Sequence, residues 1–273
     1  MATDVAFSSR YGPTAVVAGA SEGLGEAFAR ELAERGFSLV LMARRQEPLE
    51  RLATELRSLH GAEIRVVPVD LAAPADTLAK VLTDAVAGLD VGLAIYNAAY
   101  SCIGEFHQQP LEDQVRTVEV NCRGPVVFAH LYGRMMAERG SGGLLLMSSL
   151  AGTQGSALLA SYAASKAFNT VLAEGLWQEL APRGVDVLAC RAGATRTPNY
   201  VSSQPVGGGA TMEPRAVVVD ALAALGHGPT MVPGWRNRFG AWVMGSVLPR
   251  NTAVRLMSRI TRSMYGRTLP PKS

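Results

Sequence analysis

The chain has 273 residues, of which 48% are hydrophobic, and a formal net charge of +3 at pH 7. It is long enough to bury a large core, and no internal repeat or low-complexity tract divides it. The longest uncharged apolar run, residues 239–248, is half of the about 20 residues that a membrane-spanning helix needs, and the N-terminus lacks a secretory hydrophobic region. We therefore expect a globular cytoplasmic protein.

Two residue patterns bear on metals and disulfides. Cys102, Cys122 and Cys190 are odd in number and have no CxxC spacing, and the four histidines are scattered singly. This predicts reduced thiols rather than a disulfide framework, and no metal site.

Apolar, β-rich segments alternate with amphipathic segments along the chain. Strands are predicted at residues 14–18, 38–43, 64–69, 92–97, 143–149 and 185–190, with a short last strand at 231–233. Helices are predicted at residues 25–35, 48–59, 78–87, 111–138 and 158–180. Strands this continuously apolar are typical of a parallel sheet covered on both sides. The pattern predicts an α/β fold, a doubly wound (Rossmann-like) parallel sheet with helices on both faces.

A glycine-rich segment, Gly19-Ala-Ser-Glu-Gly23-Leu-Gly25, joins the first predicted strand to the first predicted helix. Glycines at this junction allow a tight turn and close approach of a pyrophosphate, whose charge the helix N-terminus stabilises. An accidental turn is the alternative, but the strand–loop–helix context favours a nucleotide site. The candidate cofactor contacts in this loop are Gly19, Ser21, Glu22, Gly23, Leu24 and Gly25.

The second and third strands end in residues that bear on cofactor choice. Where an NAD enzyme is expected to place an acidic residue, this chain has Arg44-Arg45, which suits a 2′-phosphate. We therefore expect NADP(H) to be preferred over NAD(H), unless these arginines simply begin the charged surface of the next helix. Asp70, before Leu71, is a candidate acceptor for the adenine amino group, or alternatively a cap for the helix near Pro74.

Tyr162 and Lys166 are four residues apart in a predicted helix and so share one face. Free tyrosine titrates near pH ~10, so proton transfer at neutral pH requires the phenolate to be favoured by about 4 kcal/mol. A unit charge at ~4 Å, at an effective dielectric constant of ~20, supplies that amount. We therefore expect Lys166 alone to suffice. A solvated helix face is the alternative, although only three of the 26 basic residues are lysines.

Further motifs follow in a fixed order along the chain. They are Asn97-Ala98-Ala99 after the fourth predicted strand, Asn121 in the long helix, Ser148-Ser149 ending the fifth strand, and Gly193, Thr195 and Thr197 after the sixth. Together with the glycine loop and the Tyr-x-x-x-Lys pair, they make residues 14–232 resemble the short-chain dehydrogenase/reductase family. The chain departs from that family's pattern at Ala18, Ala99 and Ala192, which stand in place of threonine, glycine and proline.

The resemblance implies roles for these residues. Tyr162 would exchange a proton with the substrate oxygen, and Ser149, thirteen residues earlier, would hydrogen-bond it. Lys166 would lower the pKa of the tyrosine and bind the nicotinamide ribose, and Asn121 would position a water behind it. Asn97, Ala98, Ala99, Tyr162, Lys166, Gly193, Thr195 and Thr197 would join the cofactor contacts.

The implied activity is hydride transfer between NADP(H) and a hydrophobic ketone or secondary alcohol of the 3-oxoacyl, steroid or aryl ketone type. The alternative is a catalytically inactive NADP(H)-sensing regulator or a membrane-surface interaction protein. The family's substrate loops correspond to residues 100–106, 150–159 and 195–211, and residues 201–209 suit a mobile lid or a disordered loop. The candidate pocket residues are Tyr100, Ile103, Phe106, Leu158, Leu159 and Tyr200.

The C-terminal segment is basic and amphipathic. Residues 221–273 contain seven arginines, one lysine and no acidic residue. An apolar stripe recurs at helical spacing at Ala253, Leu256, Met257, Ile260 and Met264. We expect it to pack on its own subunit or a partner, with peripheral membrane contact through residues 235–264, or binding of an anionic carrier, as alternatives.

The sequence therefore divides into a dinucleotide-binding catalytic domain, residues 1–233, and a basic amphipathic helical extension, residues 234–273, within the same structural unit. No nucleic-acid recognition module is present, so we expect no nucleic-acid partner. Family resemblance also implies a homodimer or homotetramer formed through the helices around Asn121 and Tyr162.

Overall fold

The computed structural model of the chain describes residues 2–203, 205 and 211–266. Its centre is a parallel seven-stranded sheet in the order β3-β2-β1-β4-β5-β6-β7. The strands are β1 (Thr14–Ala18), β2 (Ser38–Ala43), β3 (Ile64–Pro68), β4 (Val91–Tyr96), β5 (Gly142–Ser149), β6 (Val185–Ala192) and β7 (Thr230–Met231). The predicted doubly wound α/β fold is confirmed.

The predicted strands differ from the observed ones mainly at their ends. The last strand was predicted at residues 231–233, but β7 ends at Met231 and pairs with β6 only through Thr230 and Met231. A backbone nitrogen without a hydrogen, as at Pro233, cannot donate to the strand ladder, which is consistent with this early end.

Eleven helices are present in the described part of the chain. They are α1 (Ala2–Tyr11), α2 (Gly23–Glu34), α3 (Gln46–His60), α4 (Ala75–Ala85), α5 (Leu111–Val118), α6 (Gly124–Arg139), α7 (Ala160–Leu180), α8 (Pro198–Ser202), α9 (Pro214–Ala224), α10 (Trp235–Trp242) and α11 (Arg250–Tyr265). Side chains from α2, α3 and α9 fill the core on one face of the sheet, and α4, α6 and α7 fill the core on the other. Both faces of β1 and β4 are therefore buried, as their unbroken apolar sequences require.

Helix α1 was not predicted. It is held by a few specific contacts rather than by an extended apolar face: the Phe7 and Tyr11 ring centroids lie 4.7 Å apart, and the Tyr11 hydroxyl donates to Asp186 at 2.7 Å. Such long-range contacts leave little periodic signal in a short segment.

The predicted helix at residues 111–138 is interrupted in its middle. A π-helical turn, Glu119–Arg123, joins α5 to α6. A π turn accommodates an extra residue, changes the direction of the side chains that follow, and is frequent at functional sites. Here the turn contains Asn121, which is completely buried.

The C-terminal helices α10 and α11 are joined by a second π-helical turn, Val243–Val247. The predicted stripe of α11 is only partly covered by its own subunit: Ala253 is buried, whereas Leu256 and Ile260 are 40% and 42% exposed. No helix in the described residues has the length and apolar character that crossing a bilayer requires.

Candidate active site

One large cleft, of about 1420 Å³, lies at the carboxyl ends of the strands. It is centred where β1 pairs with β2 on one side and with β4 on the other, the position where open α/β sheets bind ligands. Of the predicted site residues, all but Gly25 and Asn121 line this cleft: Gly19, Ser21, Glu22, Gly23, Leu24, Arg44, Arg45, Asp70, Leu71, Asn97, Ala98, Ala99, Ser149, Tyr162, Lys166, Gly193, Thr195 and Thr197.

The glycine loop packs so tightly that no side chain fits at Gly19 or Gly25. Gly19 has φ +82°, and a Cβ atom there would lie 2.6 Å from the Ala98 backbone nitrogen. A Cβ atom on Gly25 would collide with the Gly19 carbonyl oxygen, which also accepts a hydrogen bond from Asn97 Nδ2 at 3.0 Å. The loop leads into the N-terminus of α2 at Gly23. The exposed backbone at these glycines, beside the N–H groups of the first turn of α2, fits a pyrophosphate.

The two arginines after β2 differ in their contacts. Arg45 Nη2 lies 2.6 Å from Glu22 Oε2, so an ion pair links it to the glycine loop. Arg44 forms no ion pair with a carboxylate of the described residues, and its charge helps to lower the pKa of Asp70. Both are exposed and line the cleft. They therefore place two guanidinium groups at the edge of the cleft that follows β2, one of them paired with Glu22.

Asp70 does not cap a helix. Helix α4 starts at Ala75 with Pro74 at its N-cap and no side-chain cap. Burial acts to raise the pKa of Asp70, but hydrogen bonds from the Ala72 N–H and from Arg116 outweigh it and lower the pKa. Asp70 is therefore an ionised acceptor, fixed in place at the end of β3.

Lys166 and Tyr162 lie on one face of α7, as predicted. The Lys166 Nζ atom is 5.6 Å from the centroid of the Tyr162 ring and donates to the Met147 carbonyl oxygen at 2.9 Å. Only 2% of Lys166 is exposed, and burial lowers its pKa to about 8. The lysine is thus charged at neutral pH but close to losing its proton.

The expectation that Lys166 alone lowers the pKa of Tyr162 was wrong for the protein without cofactor. Burial raises the pKa of Tyr162, a hydrogen bond with Ser149 acts in the opposite direction, and nearby Tyr265 raises it further. The ammonium group lies over the face of the ring and is bonded to a carbonyl oxygen. The phenol therefore stays protonated at neutral pH, which suits a proton donor.

The two adjacent serines at the end of β5 have different surroundings. The buried Ser148 hydroxyl donates to the Lys166 carbonyl oxygen at 2.7 Å and lies 2.8 Å from Thr170 Oγ1. The Ser149 hydroxyl accepts from the Ala151 N–H at 3.2 Å, and its interaction with Tyr162 acts to lower the pKa of that phenol. Alternation along the strand thus directs Ser149, and not Ser148, towards the phenol.

Asn121 lies behind the cleft rather than in its lining. Its Oδ1 accepts from the Tyr100 N–H at 2.7 Å, and its Nδ2 donates to the Tyr100 carbonyl at 2.8 Å and to Ser165 Oγ at 3.0 Å. The side chain therefore ties the loop after β4 to α7. This contact was not predicted from the sequence.

The loop after β6 packs against both the glycine loop and α10. Thr197 caps α8 by accepting the Tyr200 N–H at 3.3 Å, and its Cγ2 would lie 3.0 Å from a Cβ atom on Gly23. A Cβ atom on Gly193 would lie 2.8 Å from Asn237. The predicted residues Gly193, Thr195 and Thr197 thus form the part of the cleft between the glycine loop and the C-terminal helices.

The predicted substrate-side residues are only partly correct. Tyr100, Ile103, Leu159 and Tyr200 line the cleft, and Phe106 and Leu158 do not. Phe106 is exposed, whereas Leu158 is buried beneath the wall, where its carbonyl accepts the Gly104 N–H. Within the predicted lid at 201–209, the chain continues α8 to Ser202, and residues 204 and 206–209 lie outside the described residues.

The position of the C-terminal helices at the cleft was not predicted from the sequence. Its opposite wall contains residues of α10 and α11, namely Trp235, Arg236, Asn237, Met257, Ile260, Thr261, Met264 and Tyr265. The apolar stripe of α11 was visible in the sequence, but the surface that it faces was not. The complete cleft therefore joins a nucleotide-type half to a largely apolar half, with Tyr162 and Ser149 between them.

Comparisons with known proteins agree with this geometry. Residues 13–205 match the family model for short chain dehydrogenases. A 7beta-hydroxysteroid dehydrogenase of Clostridium sardiniense is 35% identical over 235 residues, covering 85% of this chain and 89% of the relative.

Two solved structures are also similar. A 7beta-hydroxysteroid dehydrogenase superposes with a TM-score of 0.85 at 29% identity, covering 92% of this chain and 98% of its own. A short-chain dehydrogenase from Sphingobium yanoikuyae in complex with NADPH has a TM-score of 0.75 at 31% identity, covering 84% and 91%. The chain therefore belongs to the short-chain dehydrogenase family and is an oxidoreductase that interconverts CH–OH and C=O groups.

Proposed function

We propose that the protein is an NADP(H)-dependent reductase of hydrophobic ketones, of the steroid class. The observation that carries the proposal is that Tyr162 and Ser149 both line one cleft, between its nucleotide half and its largely apolar half. The largely apolar wall around Met257, Ile260 and Met264 suits a rigid hydrophobic skeleton. Similarity to 7beta-hydroxysteroid dehydrogenases over 85% of the chain favours a steroid over a fatty 3-oxoacyl chain or an aryl ketone.

Cofactor preference rests on the residues after β2. The chain has Arg44 and Arg45 there and no carboxylate to hold a ribose 2′-hydroxyl. A guanidinium group can bind a 2′-phosphate through two charge-assisted hydrogen bonds, which a carboxylate would repel. The NADPH complex of the Sphingobium relative supports the same preference.

The chemistry follows from the protonation states of the site. The nicotinamide, when bound, supplies the hydride. Tyr162 donates its proton to the substrate oxygen, and Ser149 donates a hydrogen bond to that oxygen and so stabilises its developing charge. Lys166, whose Nζ atom is held by the Met147 carbonyl oxygen, would bind the nicotinamide ribose. Asn121 fixes the loop after β4 and α7 together and positions the water behind Lys166.

The remaining predicted contacts are proposed for the cofactor. Gly19, Ser21, Glu22, Gly23 and Leu24 bind the pyrophosphate, with Gly25 supporting the turn from beneath. Asp70 and Leu71 bind the adenine, Asn97, Ala98 and Ala99 border the ribose, and Gly193, Thr195 and Thr197 hold the carboxamide.

A substrate screen tests the function. We expect NADPH oxidation with steroid ketones at a kcat/KM at least tenfold above that with fatty 3-oxoacyl thioesters and simple aryl ketones, and slower oxidation of NADH. Tight NADPH binding without oxidation in the presence of any of these ketones would instead identify a nucleotide-sensing protein.

The proposed assembly is a homodimer or homotetramer formed through α5, α6 and α7. These helices expose apolar side chains, including Val115, Val118 and Val171. Burial of such residues between subunits is favourable at about 25 cal/mol per Å². In sedimentation measurements the wild type should be a dimer or tetramer. Val118→Asp should shift it towards the monomer.

We also propose that the protein is cytoplasmic and contacts anionic membranes through residues 235–264. Trp235, Phe239 and Trp242 share one face of α10 and are 67%, 62% and 57% exposed. Six arginines lie within residues 235–264, and no acidic residue lies between positions 221 and 273. Aromatic side chains with surrounding positive charge suit an anionic lipid surface.

Vesicle sedimentation tests the membrane contact. Wild type should sediment with phosphatidylglycerol vesicles at low salt and much less with phosphatidylcholine vesicles. Trp235→Ser should weaken binding, whereas Leu59→Ser, at an equally exposed position on α3, should not. A Trp235→Ser variant that changes the oligomeric state instead would assign this surface to a subunit interface.

A further inference from the structure

Arg116, on α5, is bound to Asp70 but does not itself line the cleft. Its Nη2 atom donates to both oxygens of the Asp70 carboxylate, at 3.0 Å and 2.9 Å. Asp70 does line the cleft, and 46% of its side chain is exposed, compared with 30% of the Arg116 side chain. Arg116 therefore acts on a molecule in the cleft through the residues that it contacts.

The hydrogen bonds to Asp70 leave part of its carboxylate available. A carboxylate offers about four acceptor sites, two on each oxygen. Oδ1 accepts from the Ala72 N–H at 3.0 Å and from Arg116, whereas Oδ2 accepts from Arg116 alone among the described residues. One acceptor site thus remains, on Oδ2. Because the side chain is nearly half exposed and lines the cleft, a bound molecule can place one donor there.

The guanidinium group of Arg116 is itself held in place. It lies over the ring of Tyr100, with its Cζ atom 5.6 Å from the ring centroid, a position that the ring face stabilises. The Tyr100 hydroxyl donates to Asp113 Oδ1 at 2.6 Å, and Asp113 lies on α5 one turn before Arg116. Helix α5 thus contacts the ring from two positions, and the ring limits the orientations of the guanidinium plane.

We propose that Arg116 is a positioning residue for the cofactor, which holds the Asp70 carboxylate so that its one remaining acceptor site receives the amino group of adenine. Adenine presents a donor at this position, whereas hypoxanthine presents a carbonyl oxygen. A fixed carboxylate binds the donor and repels the oxygen, but a carboxylate that can rotate turns away from the oxygen. Arg116 therefore determines selectivity for the base. This inference rests on the proposed NADP(H)-dependent function and deepens it.

The test compares NADPH with the reduced nicotinamide hypoxanthine dinucleotide phosphate, which differs from it only in the base. Fluorescence titration gives the affinity for each. Wild type should bind NADPH about tenfold more tightly, as expected for a hydrogen bond to a charged group. In Arg116→Met the affinity for NADPH should fall about fivefold, and the affinity for the hypoxanthine analogue should stay within about twofold of wild type. The selectivity then falls to about twofold.

A second set of variants separates positioning from a general effect on folding. Arg116→Lys keeps the charge but not the planar fork, so it should recover part of the selectivity. Asp70→Ala removes the acceptor, and adding Arg116→Met to it should change the selectivity no further. Arg134→Met is the matched control, because Arg134 forms an exposed ion pair with Glu138 on α6 at 3.1 Å. It should leave both affinities unchanged.

The outcomes distinguish this inference from the proposed function. Equal losses for both dinucleotides in Arg116→Met, or a further loss of selectivity when it is added to Asp70→Ala, would overturn the positioning role. Equal binding of NADPH and the hypoxanthine analogue by wild type would overturn it too, and would leave the reductase intact. Absence of turnover with every ketone would refute the reductase alone, because the titrations contain no ketone.

Discussion

The two walls of the cleft are built in different ways. The nucleotide wall is shaped by backbone: Gly19 and Gly25 allow contacts that no side chain permits, and Asn97 fixes the loop. The opposite wall is shaped by side chains of α10 and α11, which dock through hydroxyl groups such as that of Thr261. The first wall suits a constant ligand, and the second can change its specificity by single substitutions.

Charge distribution separates the same two regions. In the α/β body, arginines are mostly paired with carboxylates, as in the contacts of Arg30 with Glu26 and Glu55. In the described part of the C-terminal segment, none of the six arginines forms an ion pair with a described carboxylate: Arg236, Arg238, Arg250, Arg255, Arg259 and Arg262. Unpaired charge in one segment indicates a binding surface more strongly than net charge does.

The largest effect is expected for Tyr162→Phe, because Tyr162 lies between the two walls. Loss of the proton donor should lower kcat by at least about 10²–10³-fold, as for other preorganised donors. The affinity for NADPH should change little, because the glycine loop is untouched. Stopped-flow turnover and fluorescence titration measure the two quantities. Near wild-type reduction by this variant would contradict the role of Tyr162.

The second effect concerns the buried charge of Lys166. Its pKa is lowered from 10.5 to about 8, which corresponds to ~3 kcal/mol of destabilisation while it is charged. Lys166→Met should therefore be inactive but more stable than wild type to urea at pH 7. Below pH 8 the lysine is charged in both the folded and the unfolded state, so the full cost is present.

The difference in stability between wild type and Lys166→Met should depend on pH. Between pH 8 and 10.5 the folded protein has lost the proton that the unfolded chain still binds, so wild-type stability should rise relative to Lys166→Met. The gap between them should close towards pH 10.5. A gap that is independent of pH would mean that Lys166 is not the titrating group.

The third effect tests the nucleotide wall. Arg44 has no carboxylate partner in the described residues, whereas Arg45 is bound to Glu22. Arg44→Ser should therefore reduce the preference for NADPH over NADH by about tenfold or more, and Arg45→Ser by less. The ratio of kcat/KM values with the two cofactors measures this. Arg51→Ser, at an exposed position of α3, is the control. If this cofactor ratio were equal in wild type and Arg44→Ser, Arg44 would not be the residue that binds the 2′-phosphate.

The smallest effect tests the opposite wall. Thr261→Val keeps the shape of the side chain but removes its hydrogen bonds to Ala157 and Ser156, worth about 1 kcal/mol. We expect KM for the ketone to rise about fivefold and KM for NADPH to stay constant. Thr83→Val, on the exposed surface of α4, should change neither. If only the KM for NADPH changed, α11 would contribute to binding the cofactor and not the ketone.

The same difference explains why the nucleotide wall could be predicted from the sequence and the opposite wall could not. The positions of the strands along the chain and the glycine loop follow from local signals, because continuous apolar runs indicate buried parallel strands and glycines between a strand and a helix indicate a tight turn. Residues after strand ends, such as Ser149, meet at one edge of a parallel sheet whatever the details of packing. The positions of Tyr265 and Met257 depend instead on where an amphipathic helix docks, which its periodicity does not specify.

Two further features lay beyond sequence reasoning for the same reason. The π-helical turn at Asn121 is stabilised by contacts with Tyr100 and Ser165, which are distant in sequence. The pKa of Tyr162 depends on its burial, which the spacing to Lys166 does not reveal. Local sequence pattern thus predicted which residues line the cleft, and their protonation depends on tertiary packing.

The central claim is that Tyr162 and Ser149 direct hydride transfer to a ketone held between the two walls. The most direct measurement uses NADPH carrying deuterium at both C4 positions together with a steroid ketone, and mass spectrometry of the alcohol formed. We predict one deuterium on the carbinol carbon with wild type and almost no labelled alcohol with Tyr162→Phe. Alcohol without deuterium, or equal labelling by the variant, would contradict the claim.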